Sequence, residues 1–179
     1  MELRKGLVEK YYKKIGIDIT VDELIVTVAG SESVNLALEI ACNPGDEVLV
    51  LEPFYTNYNT FAFMNGLTLK AIPTDIRNGF QIPPIEEFEK AITDRTKAIL
   101  VCNPGNPTGT QYSKESMLAL GEIARKHDLF LLSDEVYREF VYGGEPLMSL
   151  GQYPEANDNV IIIDSVSKRF SACGARIGT

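Results

Sequence analysis

Five short stretches carry residue types whose spacing could do chemistry. Asp164-Ser165-Val166-Ser167-Lys168-Arg169 sets an amine in a serine-rich turn, and Arg176 follows in Gly174-Ala175-Arg176-Ile177-Gly178. A lysine in a serine-rich turn at a strand end is, for most lysines, a solvated surface charge. Ser133-Asp134-Glu135-Val136-Tyr137 places a carboxylate directly after the apolar run Leu129 to Leu132. An acid at the end of a buried strand is costly unless a cation or hydrogen-bond donors meet it, so Asp134 is either a cap or a partner to a positive group. Asn103-Pro104-Gly105-Asn106-Pro107-Thr108-Gly109 is a rigid, irregular loop. Turn-making accounts for Pro104 and Gly109 but leaves Asn106 without a structural reason. Ala29-Gly30-Ser31-Glu32-Ser33 is either a phosphate cradle at a helix start or an ordinary N-cap with an acid in the first turn. Tyr55, in Glu52-Pro53-Phe54-Tyr55, either lies flat on a bound planar ring or fills a helix–sheet interface.

The elements that must position these residues alternate along the chain. Leu3 to Ile15 has apolar residues at helical spacing and stops at Gly16. Leu24 to Val28 is a short β-branched run that reads as a strand, followed by a helix over Ser33 to Ile40. Glu47 to Leu51 reads as a strand, about Tyr55 to Met64 as a helix, and Leu67 to Ile72 as a strand. A helix after Pro83-Pro84 runs to about Ile92, with a strand over Lys97 to Cys102 and a helix over Ser113 to Lys126. Leu129 to Leu132 and Val160 to Ile163 complete the strands. Strands that are apolar at every position, separated by helices, require a parallel sheet covered on both faces. The fold class is α/β: a three-layer αβα arrangement with a mostly parallel sheet. Ligands in such sheets bind beyond the carboxyl ends of the strands, where all five stretches lie.

The 179 residues suffice for one domain with its own core, and 45% hydrophobic with 23% charged residues is ordinary for a globular chain. A net charge of −8 argues against nucleic acid as a partner. No apolar run is long enough to span a membrane, and Met1 to Gly6 lack the apolar region of a secretory signal, which makes the cytoplasm the expected compartment. Cys42, Cys102 and Cys173 are too few and scattered for a disulfide framework or a zinc site and are expected to pack as small apolar residues. His127, the single histidine, reads as a surface residue near a helix end, so the chemistry is not expected to depend on an imidazole.

Taken together, Gly30-Ser31, Pro53-Phe54-Tyr55, Asn106-Pro107-Thr108-Gly109, Asp134-Glu135-Val136-Tyr137, Ser165-Val166-Ser167-Lys168 and Arg176-Ile177-Gly178 resemble the class I/II aminotransferases, the aspartate-aminotransferase-like group of fold type I pyridoxal-phosphate enzymes. The resemblance covers nearly the whole chain. It implies pyridoxal 5'-phosphate as cofactor and no metal. It further implies that Lys168 bonds covalently to the cofactor aldehyde and later acts as general base, that Asp134 pairs with the ring nitrogen, and that Asn106 and Tyr137 donate to the ring's phenolate oxygen. By the same resemblance Tyr55 stacks on the ring, and Gly30, Ser31, the backbone N–H of Glu32, Ser165, Arg176 and, more loosely, Ser167 hold the phosphate. It also suggests cis peptides at Glu52-Pro53 and Asn106-Pro107.

The implied reaction is transfer of an amino group between an L-amino acid and a 2-oxo acid, in a cytoplasmic homodimer. Residues 1–179 would be the cofactor-binding large domain. In relatives, an arginine for the substrate carboxylate lies in a small C-terminal domain, an N-terminal segment closes over the substrate, and a partner subunit adds a tyrosine to the phosphate. None of these is found here. A lyase on the same scaffold, or a cofactor-binding but inactive fragment, would share the cofactor residues. A nucleotide-binding α/β protein is disfavoured, because no Gly-rich nucleotide fingerprint opens the first helix after a strand.

Overall fold

The computed structural model describes residues 1–153 and 158–179. Five strands form one sheet: β1 (Glu47–Glu52), β2 (Thr68–Pro73), β3 (Thr96–Cys102), β4 (Phe130–Asp134) and β5 (Val160–Ile163). Their order is β2-β1-β3-β4-β5, and every neighbouring pair is parallel. Helices α1 (Glu2–Lys10), α2 (Ala29–Ala41), α3 (Asn57–Met64), α4 (Ile85–Ala91), α5 (Lys114–Lys126) and α6 (Val166–Arg169) complete the fold.

Side-chain alternation along each strand builds two cores. Val48 and Val50 of β1, Leu100 of β3 and Leu132 of β4 face Val34 and Leu38 of α2 and Tyr58 of α3. The intervening Leu49, Leu51, Ile99 and Leu131 face Phe88 of α4 and Met117, Leu120 and Ile123 of α5. Each such residue removed from water stabilises by about 1.5–3 kcal/mol before entropy is counted, which is why the central strands are apolar throughout. In α5, Ser113 caps the first turn by accepting from the Ser116 N–H at 3.2 Å, and Arg125 and Lys126 sit favourably at the carboxyl end.

Three expectations about the elements need correction. Leu24 to Val28 is not a strand of the sheet: Thr27 makes a single antiparallel bridge to Gly178, and Ile25 and Val28 remain exposed. A β-branched run becomes a strand only where a neighbour supplies the ladder, and here the contact is one residue long. The first helical stretch is divided, α1 ending at Lys10 and a 3-10 turn covering Tyr12–Ile15 before Gly16 at φ 78°. Tyr11 and Tyr12 leave the helical path for distant partners, their hydroxyls meeting Glu139 Oε1 at 3.0 Å and Thr179 Oγ1 at 2.6 Å. Helix α2 also starts earlier than the pattern suggested. Its N-cap is Val28, whose N–H donates to the Glu32 carboxylate, so Ser31 lies in the first turn and does not cap it.

Gly178 threads between two segments, bridging Thr27 on one side and Ser165 on the other. A Cβ there would lie 2.3 Å from the carbonyl carbon of Ala29, so only glycine fits. Of the cysteines, Cys42 is buried and Cys102 half-buried, but Cys173 is exposed, contrary to the expectation that all three pack as apolar residues. No helix among the described residues is long and apolar enough to cross a membrane.

Candidate functional site

The carboxyl ends of β1, β3, β4 and β5 open onto a cavity of about 410 Å³, a size suited to a small cofactor. The sheet order reverses at β1, leaving a crevice beside β3 where the Asn103–Gly109 loop and α3 diverge. The peptides Glu52-Pro53, Asn103-Pro104 and Asn106-Pro107 are cis, the first and last as expected.

Asp134 ends β4 at the cavity floor, with only 5% of its surface exposed. Burial pushes its carboxyl up to about 6, against the hydrogen bonds it accepts from the Tyr58 hydroxyl at 2.6 Å and the Val136 N–H at 3.3 Å. Among the described residues no basic side chain pairs with it within 4.0 Å. Asp134 is therefore a buried acid that faces a cavity and lacks a cation, a site chemically matched to a positively charged ring.

Lys168, in α6, reaches the same cavity, with Nζ 5.8 Å from the centroid of the Tyr137 ring. Asn106 Nδ2 donates to the Tyr137 hydroxyl at 3.3 Å, so an amide, a phenol and the amine gather near one point of the wall. Burial raises the Tyr137 phenol above its ordinary pKa, partly offset by that donation. Tyr55, also on the wall, packs edge-on against Tyr58 with centroids 5.6 Å apart, and its hydroxyl accepts from Asn57 Nδ2 at 2.7 Å.

A further group of hydrogen-bond donors also lines the cavity. Gly30 and Ser31 lie in the first turn of α2, where N–H groups have no intrahelical acceptor. A Cβ on Gly30 would come within 3.3 Å of Val136 and 3.4 Å of Ser165, so glycine keeps this turn close to the wall. Ser165 caps α6 by accepting from the Ser167 N–H at 3.1 Å, and its own hydroxyl donates to the Ile177 carbonyl at 3.2 Å. The Ser167 hydroxyl is buried with no hydrogen-bond partner among the described residues. Arg176 donates to the Cys173 carbonyl at 3.2 Å and borders the cavity. A buried hydroxyl without a partner, free helix N–H groups and a guanidinium together make a set suited to a dianionic phosphate.

A sequence profile described as "Aminotransferase class I and II" matches residues 1–179. The chain belongs to this family. Among its relatives, a protein of Thermus aquaticus described as a probable aspartate/prephenate aminotransferase is 37% identical over 99% of this chain and 45% of its own. A solved structure titled as aspartate aminotransferase from Thermus thermophilus with maleate superposes with a TM-score of 0.92 at 38% identity, again over 99% and 45% of the two chains. One titled as alanine aminotransferase from Pyrococcus furiosus superposes at 0.90 and 39% identity, over 99% and 44%. The chain thus spans about half the length of the relatives it matches.

Of the residues singled out in the sequence as class I/II aminotransferase site positions, Gly30, Ser31, Tyr55, Asn106, Asp134, Tyr137, Ser165, Ser167, Lys168 and Arg176 all border this one cavity. Glu32 does not: its carboxylate turns back to the Val28 N–H, leaving only its backbone in the first turn of α2. Sequence reasoning missed Tyr58, which is 1% exposed and holds Asp134. No signal in the sequence sets it apart from Phe54, Phe61 and Phe63 in the same segment.

Proposed function

We propose that the full protein transfers an amino group between an L-amino acid and a 2-oxo acid, using pyridoxal 5'-phosphate bound in this cavity. The single observation that carries the reading is Asp134, a buried carboxylate without a cation, sharing a cavity with the amine of Lys168. When bound, the cofactor supplies a cationic heterocycle that accepts the electron pair left when the substrate α-carbon loses its proton.

The chain's own residues do the rest. Asp134 keeps the proton on the ring nitrogen, because a buried carboxylate favours a positive partner. Tyr58 holds that carboxylate by its 2.6 Å hydrogen bond. Lys168 would hold the cofactor through its aldehyde group, and its Nζ would move the proton to and from the substrate α-carbon. Asn106 and Tyr137 donate to the ring oxygen, and Tyr55 supplies an aromatic face for the ring. Gly30, Ser31 and the Glu32 N–H, with Ser165, Ser167 and Arg176, bind the phosphate and so orient the ring.

Residues 1–179 form the cofactor-binding part of a cytoplasmic homodimer, and the donor set for the substrate carboxylate lies outside them. The names of the relatives reported above point to aspartate or alanine as donors. The test is the full-length protein supplied with pyridoxal phosphate, 2-oxoglutarate and each donor in turn. Glutamate formed in equal amount to the new 2-oxo acid supports transfer. Ammonia or sulfide released without glutamate would establish a lyase instead.

A further inference from the structure

Behind the cavity lies a cluster of charges that the cofactor chemistry does not use. Arg169, next in sequence to Lys168, keeps only 8% of its side chain exposed. Its guanidinium pairs with Asp164, just past the end of β5, and its Nε lies 3.2 Å from Glu139 Oε1. It also stacks over the ring of Tyr11, with 3.8 Å between the guanidinium carbon and the ring centroid. The Tyr11 hydroxyl donates to Glu139 at 3.0 Å and accepts from Arg138 Nη1 at 3.1 Å, while Arg138 pairs with the buried Glu135. Tyr11, at the C-terminal end of α1, thus meets Glu139, Arg138 and Arg169, and the two guanidinium groups pair in turn with Glu135 and Asp164.

This arrangement does more than neutralise charge. Burying an arginine with an acid is at best a weak source of stability, since desolvation offsets much of the attraction. A planar guanidinium hydrogen-bonded to Asp164, within ion-pair distance of Glu139 and stacked on a ring is instead fixed in direction, although its Nε finds no hydrogen-bond geometry among the described residues. Helix α6 is a single turn, so anchoring Arg169 fixes the short stretch of backbone from which Lys168 projects about 100° away around the helix axis. We propose that Arg169 is a positioning residue that aims Lys168 into the cavity, with Tyr11 as the plate against which it is held. The inference rests on the reading of Lys168 as the residue that bonds to the cofactor. It makes the N-terminal segment part of the active-site support.

The experiment follows the rate at which added pyridoxal phosphate becomes fixable by borohydride at Lys168, read by peptide mass spectrometry on the full-length protein. Melting temperature is recorded beside it. Arg169→Met is expected to slow fixation at least tenfold, Tyr11→Leu several-fold, and Tyr11→Phe, which keeps the ring, less than twofold. Arg169→Lys, which restores charge without the planar fork, should recover only part of the loss. The double variant Tyr11→Leu/Arg169→Met should be no slower than Arg169→Met alone, because the two side chains act as one unit. Ile123→Val, in the distant core of α5, serves as the control that lowers melting temperature and leaves the rate unchanged. If Arg169→Met does not fold, Tyr11→Leu against Tyr11→Phe decides the matter by the same measure. Wild-type rates in Arg169→Met or Tyr11→Leu, or losses that multiply in the double variant, would overturn the proposal while leaving the Lys168 reading intact. Fixation of the wild type on a different lysine would instead overturn that reading.

Discussion

Replacing Asp134 by asparagine should make the cofactor-free protein more stable and the enzyme inactive. The carboxyl stands at about 6 in the folded chain against 3.8 for an ordinary aspartate. Two pH units at about 1.4 kcal/mol each amount to about 3 kcal/mol. The direction follows from proton binding. Between about pH 4 and 6 the folded state holds a proton that the unfolded state has lost, so stability falls as pH rises through this window. Above it the carboxylate is charged in both states and the whole penalty is present; below it the group is neutral in both and the penalty is gone. Asparagine removes the charge while its side-chain carbonyl still accepts from Tyr58. Losing the Val136 contact costs about 1 kcal/mol, which leaves a net gain of about 2 kcal/mol at pH 8. In a chain of this size that raises the melting temperature by about 4–8 °C. Denaturant and thermal unfolding of both proteins at pH 8 and pH 4 measure it, and taking the difference cancels other titrating groups such as Glu135. A variant that is no more stable at pH 8, or whose advantage persists undiminished at pH 4, would refute the reasoning.

Three further outcomes are expected. Tyr58→Phe removes a donor that favours the charged carboxylate, so the Asp134 carboxyl should move up by about one pH unit, observable by carboxyl-resolved NMR titration of the cofactor-free protein. Ser167→Ala deletes a buried hydroxyl that has no partner. It should leave cofactor-free stability unchanged or slightly higher while weakening pyridoxal phosphate binding about tenfold, by equilibrium titration. Gly178→Ala would drive a methyl into the Ala29 backbone at 2.3 Å; melting should show a loss of about 3 kcal/mol or more.

The sheet was legible because both its faces are covered: Val48 to Leu51, Ile99 to Val101 and Leu131 to Leu132 are buried at every position, and such runs have one structural meaning. Leu24 to Val28 carries the same composition yet pairs only at Thr27, since periodicity reports propensity and says nothing of whether a neighbouring strand is present. Most of the residues that line the cavity were legible because they stand just past strand ends. Tyr58 was not, being one of several aromatics in its segment until the fold brings its hydroxyl to Asp134. The cluster around Arg169 escaped for the same reason: its partner Tyr11 lies at the other end of the chain.

The most direct test is a crystal structure of the protein grown with pyridoxal 5'-phosphate. The account predicts continuous density from Lys168 Nζ to the cofactor, the ring nitrogen within hydrogen-bonding distance of Asp134, and the phosphate between the start of α2 and Arg176. A cofactor bonded to a different lysine, or a ring whose nitrogen points away from Asp134, would contradict it.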